Sequence, residues 1–231
     1  MAYVLGFFVA DGCIMTSKGR ENNPYTFNIT SIDLEHLQSI KRVLGSDYKI
    51  GKKSNGSGGN AYQISVRNST LATDLIKLGI CPRKTYNLGA IKVPEEYFSN
   101  FVRGFFDGDG SVYIYSVNNV LQIKSSFVCT SFDFITDFNT RLCKTLNVPV
   151  KSIHRKLGEK IGFMTQYSNS FYIDDSEKLA KFMYENNPSL CLERKREIFK
   201  KWESTKRRQF TKRNYPSKIG WQLNKKNSLE K

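Results

Sequence analysis

The segment Val4-Leu5-Gly6-Phe7-Phe8-Val9-Ala10-Asp11-Gly12 returns 98 residues later as Val102-Arg103-Gly104-Phe105-Phe106-Asp107-Gly108-Asp109-Gly110. Each copy predicts an apolar helix with a small residue at every fourth position, then an aspartate and a terminating glycine. A repeat of this kind makes the chain two related half-units, each ending one helix with a carboxylate. Gly6 and Ala10 share one helix face, as do Gly104 and Gly108. Small residues at that interval let two helix backbones approach closely, sending Phe7, Phe8, Phe105 and Phe106 into the flanking cores. Asp11 and Asp109 should then emerge side by side.

That placement is electrostatically poor for folding. A helix C-terminus carries about half a negative charge, which repels an aspartate, and two aspartates at one spot repel each other. A divalent cation relieves both costs. Mg²⁺ suits the arrangement because it binds through one or two carboxylates plus water and phosphate oxygens. A single Asp-Gly reads as a helix end and a turn; two copies in duplicated context point to metal-dependent chemistry on a polyanion.

Composition is consistent with this. The 231 residues allow one large domain or two of about 100 residues each. The chain carries 36 Lys+Arg against 21 Asp+Glu, a net charge of +15. Residues 1–95 hold 12 basic and 7 acidic side chains, residues 96–202 hold 15 and 12, and residues 203–231 hold 9 and 2. Such a field concentrates near phosphate backbones through counterion release. No apolar run approaches the ~18 residues of a membrane span, and no signal-peptide layout opens the chain. Met1 stands close to the first motif, which leaves room for a short upstream segment. Cys13, Cys81, Cys129, Cys143 and Cys191 are scattered without C-x-x-C spacing, which argues against zinc and fits a reducing interior.

The rest of the chain repeats an αββαββα order. In the first half, residues 25–30 alternate as a strand and Ser31 or Asp33 opens a helix through Leu44. Residues 52–59 form a hairpin tip, Tyr62, Ile64 and Val66 mark an inward strand face, and a helix spans about 70–78. In the second half, the motif helix covers 97–108, strands lie near 111–115 and 120–129, and a helix runs over 132–146. Further strands are expected near 150–157 and 163–173, then a helix over 176–184. Gly158-Glu159-Lys160 matches the earlier hairpin tip. The expected organisation is an α+β fold: a half-domain at 1–95, a second at 96–202 and a basic tail at 203–231, read as a loosely ordered arm with Phe210, Tyr215 and Trp221 between its charges.

The paired motifs, over residues 3–202, resemble the signature of single-chain LAGLIDADG homing endonucleases carrying two motifs; the second copy is the closer match. The resemblance implies two pseudo-symmetric half-domains whose saddle-shaped antiparallel sheets sit on the DNA major groove, packed through the motif helices. It implies Mg²⁺-dependent cutting of both strands at a long target, with Mn²⁺ as a substitute. Asp11 and Asp109 would be the catalytic metal ligands, with Ala10 and Gly108 contributing beside them. Val9 departs from the pattern where Asp107 keeps the acidic residue; that position is not a metal ligand in the family. Lys84 resembles the basic residue placed near one active site, and Lys195 is its counterpart in the second half; each could steady phosphate charge or orient water.

Base reading should fall to outward strand positions, because a two-stranded ribbon fits the major groove. The candidates are Asn28, Thr30, Gln63, Ser65, Arg67, Gln122, Lys124, Arg155, Gln166 and Ser168, with Lys52, Lys53, Lys151 and Lys156 on phosphates. The expected partner is double-stranded DNA bound by a monomer, with no membrane. An intron RNA maturase and a non-cleaving DNA-binding protein are the alternatives on the same fold; intact Asp11 and Asp109 favour cleavage. The Glu193-Arg194-Lys195 triplet, with Asp174 or Asp175 upstream, would need a strand where a helix is expected. His36 and His154 stand in separate contexts, and 52–59 lacks the ending of a phosphate loop. An intracellular setting is expected, either an organelle (mitochondrion or chloroplast) or bacterial or phage cytoplasm.

Overall fold

The computed structural model describes residues 1–16, 25–54, 60–80, 82, 84, 88–158 and 164–213, with the backbone alone over 206–213. Two halves repeat one plan. The first comprises helix α1 (Ala2–Asp11), strands β1 (Gly12–Thr16) and β2 (Tyr25–Ser31), helix α2 (Leu34–Val43), strands β3 (Ile50–Ser54) and β4 (Asn60–Val66), and helix α3 (Ser69–Lys77). The second comprises α4 (Glu95–Asp109), β5 (Gly110–Val117), β6 (Val120–Cys129), α5 (Phe132–Thr145), β7 (His154–Lys156), β8 (Gln166–Tyr172) and α6 (Ile173–Tyr184). Helix α7 (Glu193–Arg213) follows. Each half forms a four-stranded antiparallel sheet, ordered β1-β2-β4-β3 and β5-β6-β8-β7.

Alternation decides which sheet face is buried. Phe27, Ile29, Ile64 and Val66 turn to the helices in the first half, as do Ile123, Phe127 and Phe171 in the second. Leu37 and Ile40 of α2 complete the first core. Side-chain caps start two of the helices: Asn68 accepts from Leu71 N at 3.0 Å before α3, and Ser131 accepts from Phe134 N at 3.3 Å before α5. The second core is dominated by rings: Phe105, Phe127, Phe134 and Phe138 contact one another, and Phe98 packs on Phe138 and Phe182.

Four expectations shift. Lys52 and Lys53 belong to β3 rather than to a loop, and residues 55–59 lie outside the described residues. The strand expected over 150–157 contracts to β7, because the Lys151 carbonyl accepts from Asn139 Nδ2 at 2.7 Å instead of joining the ladder. Helix α6 starts at Ile173, three residues earlier than expected. The basic segment begins as helix, since α7 continues to Arg213; residues 214–231, Tyr215 and Trp221 included, lie outside the described residues.

The two halves meet through α1 and α4, the most extensive helix pairing among the described residues. A Cβ on Gly6 would stand 2.0 Å from the Phe101 carbonyl oxygen, and one on Gly104 would stand 2.0 Å from that of Tyr3. Near the helix ends, a Cβ on Gly108 would meet that of Ala10 at 2.2 Å. The helices therefore touch backbone to backbone, and the two glycines are reciprocal. Gly104→Ala is predicted to destabilise the protein by about 3 kcal/mol or more in chemical denaturation. Gly89→Ala, where a Cβ would meet nothing within 4 Å, should stay within about 0.5 kcal/mol of the parent.

Candidate active site at the paired helix ends

Most helices here stop by reversing. Gly45 after α2 and Gly79 after α3 have φ of 57° and 103°, and the amides that follow return to the last helical carbonyls. The motif helices do not reverse. Gly12 (φ −92°, ψ 158°) and Gly110 (φ −86°, ψ 159°) are extended, so the chain passes from helix directly into strand. A side chain there would strike Phe8 or Phe106 within 2.5 Å. This direct exit leaves terminal carbonyls in need of donors.

Two lysines supply them. Lys84 Nζ donates to the carbonyls of Val9 and, at 2.9 Å, Ala10. Lys195 Nζ donates to those of Phe106 (2.7 Å), Asp107 (2.8 Å) and Gly110 (2.6 Å), with Gly108 at 3.4 Å. The lysines read from sequence as phosphate or water ligands thus sit at the negative ends of α1 and α4 and offset their dipoles. Burial lowers the pKa of both, that of Lys195 to about 8.

The aspartates lie between them. A Cβ on Gly108, the residue before Asp109, would be 3.4 Å from Asp11 Oδ2. Among the described residues neither carboxylate accepts a hydrogen bond. Asp11 opens to water, yet packed protein closes around it on the other sides, and that desolvation raises its pKa to about 6. The charge of Asp109 pushes the same way, while Lys84 and Lys195 oppose it. Burial also raises Asp109, against the pull of Lys84 and then Lys195. A cavity of about 180 Å³ joins Asp109 to Lys84 of the other half, with Cys129 and Gln166 in its wall. Gln166 thus shares a cavity with Asp109.

The acidic residue that the second motif keeps, where the first has Val9, has its own structure. Asp107 is 2% exposed, and its Oδ2 accepts from Tyr3 Oη at 2.6 Å and Leu192 N at 2.7 Å. His36 Nε2 lies 3.0 Å from the same tyrosine oxygen and its ring packs on Phe7; burial drops its pKa to about 4, so it is neutral. Arg103 packs over Tyr3 and donates to the carbonyls of Met183 and Leu190. Neither Tyr3 nor Arg103 stood out in the sequence; both appear only once α1 and α4 are paired.

The outward sheet faces follow from register. Thr26, Asn28, Thr30, Gln63, Ser65 and Lys53 share one face of the first sheet. Gln122, Lys124, Ser126, Gln166, Ser168 and Lys156 share the corresponding face of the second. Gln63 Nε2 donates to Thr30 Oγ1 at 3.1 Å, and Lys124 lies over the Tyr172 ring. Arg67 is exposed just beyond β4. Four candidates are placed otherwise. Lys52 pairs with Tyr62 on the opposite face, and Arg155 pairs with Tyr167 on the opposite face. Lys151 is held by Asp175 at 2.6 Å. Asn28 keeps the outward register but is 8% exposed, donating to Met15 Sδ. Sequence alternation missed Tyr113, Tyr115 and His154, which register places outward.

Among the described residues no cluster of three His, Cys, Asp or Glu side chains forms, and Cys13, Cys129, Cys143 and Cys191 are free thiols. Cys81 lies outside the described residues. Among the described residues the donor set at the helix ends is therefore oxygen alone: two carboxylates without hydrogen bonds, plus the Ala10 and Gly108 carbonyls, which the lysines already engage. Two carboxylates that reach water fit a hydrated, hard cation such as Mg²⁺ better than a closed protein cage.

No protein-family model and no curated protein sequence matches the chain. Solved structures do. The LAGLIDADG homing endonuclease I-GzeII, in complex with its DNA target, superposes with a TM-score of 0.59 at 14% identity, covering 97% of this chain and 95% of that one. The LAGLIDADG meganuclease I-AabMI bound to uncleaved DNA gives 0.59 at 16% identity, covering 91% of each. The LAGLIDADG homing endonuclease I-LtrWI, bound to target DNA, gives 0.52 at 14% identity, covering 89% and 87%. The fold is that of these proteins.

The raised carboxylate has a measurable consequence. A pKa of about 6, above the ordinary 3.8, means that the native state binds the Asp11 proton more tightly than the unfolded chain. The stability this proton supplies is complete below pH 3.8 and is lost as pH rises through 6. Water screens an open carboxylate, so the effect is on the order of 1 kcal/mol. Asp11→Asn should therefore be more stable than the parent by that amount at about pH 8 in chelator, with the difference vanishing near pH 4 in thermal unfolding.

Proposed function

We propose that this chain is a site-specific, metal-dependent DNA endonuclease of the homing type, cutting both strands of a long duplex target. One observation carries the reading: two aspartates with no hydrogen-bond partner among the described residues are brought together by a duplicated, backbone-packed helix pair. Neither folding nor nucleic-acid binding alone requires that cost. The DNA complexes of the structurally similar endonucleases and the net charge of +15 support a duplex as the partner. One copy of the chain already supplies both carboxylates, which favours a monomer.

Asp11 and Asp109 would hold Mg²⁺, or Mn²⁺ in its place, with the Ala10 and Gly108 carbonyls adjacent. The metal would lower the pKa of the attacking water and stabilise the leaving phosphodiester oxygen. Lys84 and Lys195 hold the helix ends in place and set positive charge beside the carboxylates, which pulls the pKa of Asp11 and Asp109 down against the effect of burial. The outward faces of the two sheets, led by Thr30, Gln63, Ser65, Gln122, Lys124 and Ser168, would enter the major groove, and Lys53, Lys156 and α7 would neutralise phosphates.

Supercoiled plasmid carrying the target and Mg²⁺ separates this reading from an RNA maturase or a non-cleaving DNA binder. Asp11→Asn and Asp109→Asn should each abolish linearisation while keeping duplex affinity in gel-shift assays; full cleavage by either variant refutes the assignment. Removing residues 204–231 should weaken binding and reduce the slope of log affinity against log salt by about 0.9 for each phosphate that this segment neutralises. An unchanged slope would show that this segment touches no phosphate.

A further inference from the structure

We propose that Asp107 is a positioning residue for Lys195, and that this latch serves only one of the two half-sites, so the two DNA strands are cut under unequal control. The inference rests on the nuclease reading above. Its basis is a closed ring of contacts between α4 and the start of α7. The Asp107 carboxylate accepts the Leu192 amide at 2.7 Å, immediately before α7. Within that first turn, Lys195 N donates to the Leu192 carbonyl at 2.9 Å. Lys195 Nζ then returns to the Asp107 carbonyl at 2.8 Å and to its neighbours Phe106 and Gly110. A carboxylate at the N-terminus of α7 also faces the positive end of that helix dipole.

Arg103, one turn earlier on α4, fastens the same approach through the carbonyls of Met183 (2.8 Å) and Leu190 (3.1 Å). At the equivalent positions of the first motif stand Leu5 and Val9 instead. Neither side chain has a polar atom, so neither can repeat the corresponding bond on behalf of Lys84. Stability alone is a poor reason for the acid: Asp107 Oδ1 is buried with no partner among the described residues, a condition that costs about 1–3 kcal/mol. A latch that fixes a lysine against the helix end bearing Asp109 explains its presence. Catalytic groups displaced by about 1 Å lose rate steeply. Asp109 faces Lys84 across the cavity they share, which leaves Lys195 as the lysine of the other half-site, so a fault confined to the placement of Lys195 falls mainly on one strand.

The test uses the full chain and a target selected by cleavage from supercoiled plasmids with a randomised insert, then remade as a duplex labelled on either strand. Asp107→Val, which copies the first motif, should slow one strand on the order of ten-fold and leave the other within about two-fold, so duplex nicked in a single strand accumulates. Asp107→Asn keeps an acceptor for Leu192 and should restore balanced cutting. Should Asp107→Val fail to fold, Leu192→Pro removes the amide donor and is read in the same way. Equal slowing of both strands, or no slowing of either, overturns the inference. If the unmodified protein yields no cleaved target from the pool, the nuclease reading fails instead.

Discussion

Contact between the backbones of α1 and α4 governs the rest of this molecule. At Gly6 and Gly104 each helix presents a bare Cα to a carbonyl of the other, and no larger residue fits. That approach directs the phenylalanines of both motifs into separate cores. It also fixes where the helices end, and therefore where Asp11 and Asp109 stand. The electrostatic problem follows from the same geometry. Two helix C-termini and two carboxylates converge, with a third, Asp107, buried close behind. Lys84 and Lys195 answer it from outside α1 and α4, each arriving from near the end of its half-domain.

Much of this was legible in the sequence because it depends on spacing. Small residues four apart, the repeat at 98 residues and the strand alternation of Tyr25–Thr30 and Tyr62–Val66 are local signals, and the αββαββα order follows from them. Partnership was not legible. Lys84 and Lys195 could be singled out by position, but their carbonyl ligands became visible only when the helices ended in extended glycines instead of left-handed caps. Lys151 and Asn28 are engaged by residues apart in sequence, Asp175 and Met15, although Asn28 keeps its outward register. Arg155 lies on the opposite face for a simpler reason: register shifts by one residue reverse a strand's faces, and short edge strands such as β7 carry too little pattern to set it.

The halves are alike in order and unlike in substance. The second core is built from interlocked aromatic rings, whereas the first relies on Ile29, Leu37, Ile40 and Ile64 around fewer rings. Asp107 and Arg103 bind the segment leading into α7, so the polar asymmetry of the motifs is tied to how that helix is docked. A single chain is free to diverge in this way because each half needs to complement only its partner, not a copy of itself.

The central claim is that helix pairing delivers Asp11 and Asp109 to shared divalent cations. Anomalous diffraction from the protein bound to its duplex target in Mn²⁺ addresses it directly. Metal peaks at coordination distance, roughly 2.0–2.4 Å, from both carboxylates and from the same phosphate are the predicted result. Metal bound elsewhere, or carboxylates turned away from the phosphate with the helices still paired, would contradict it.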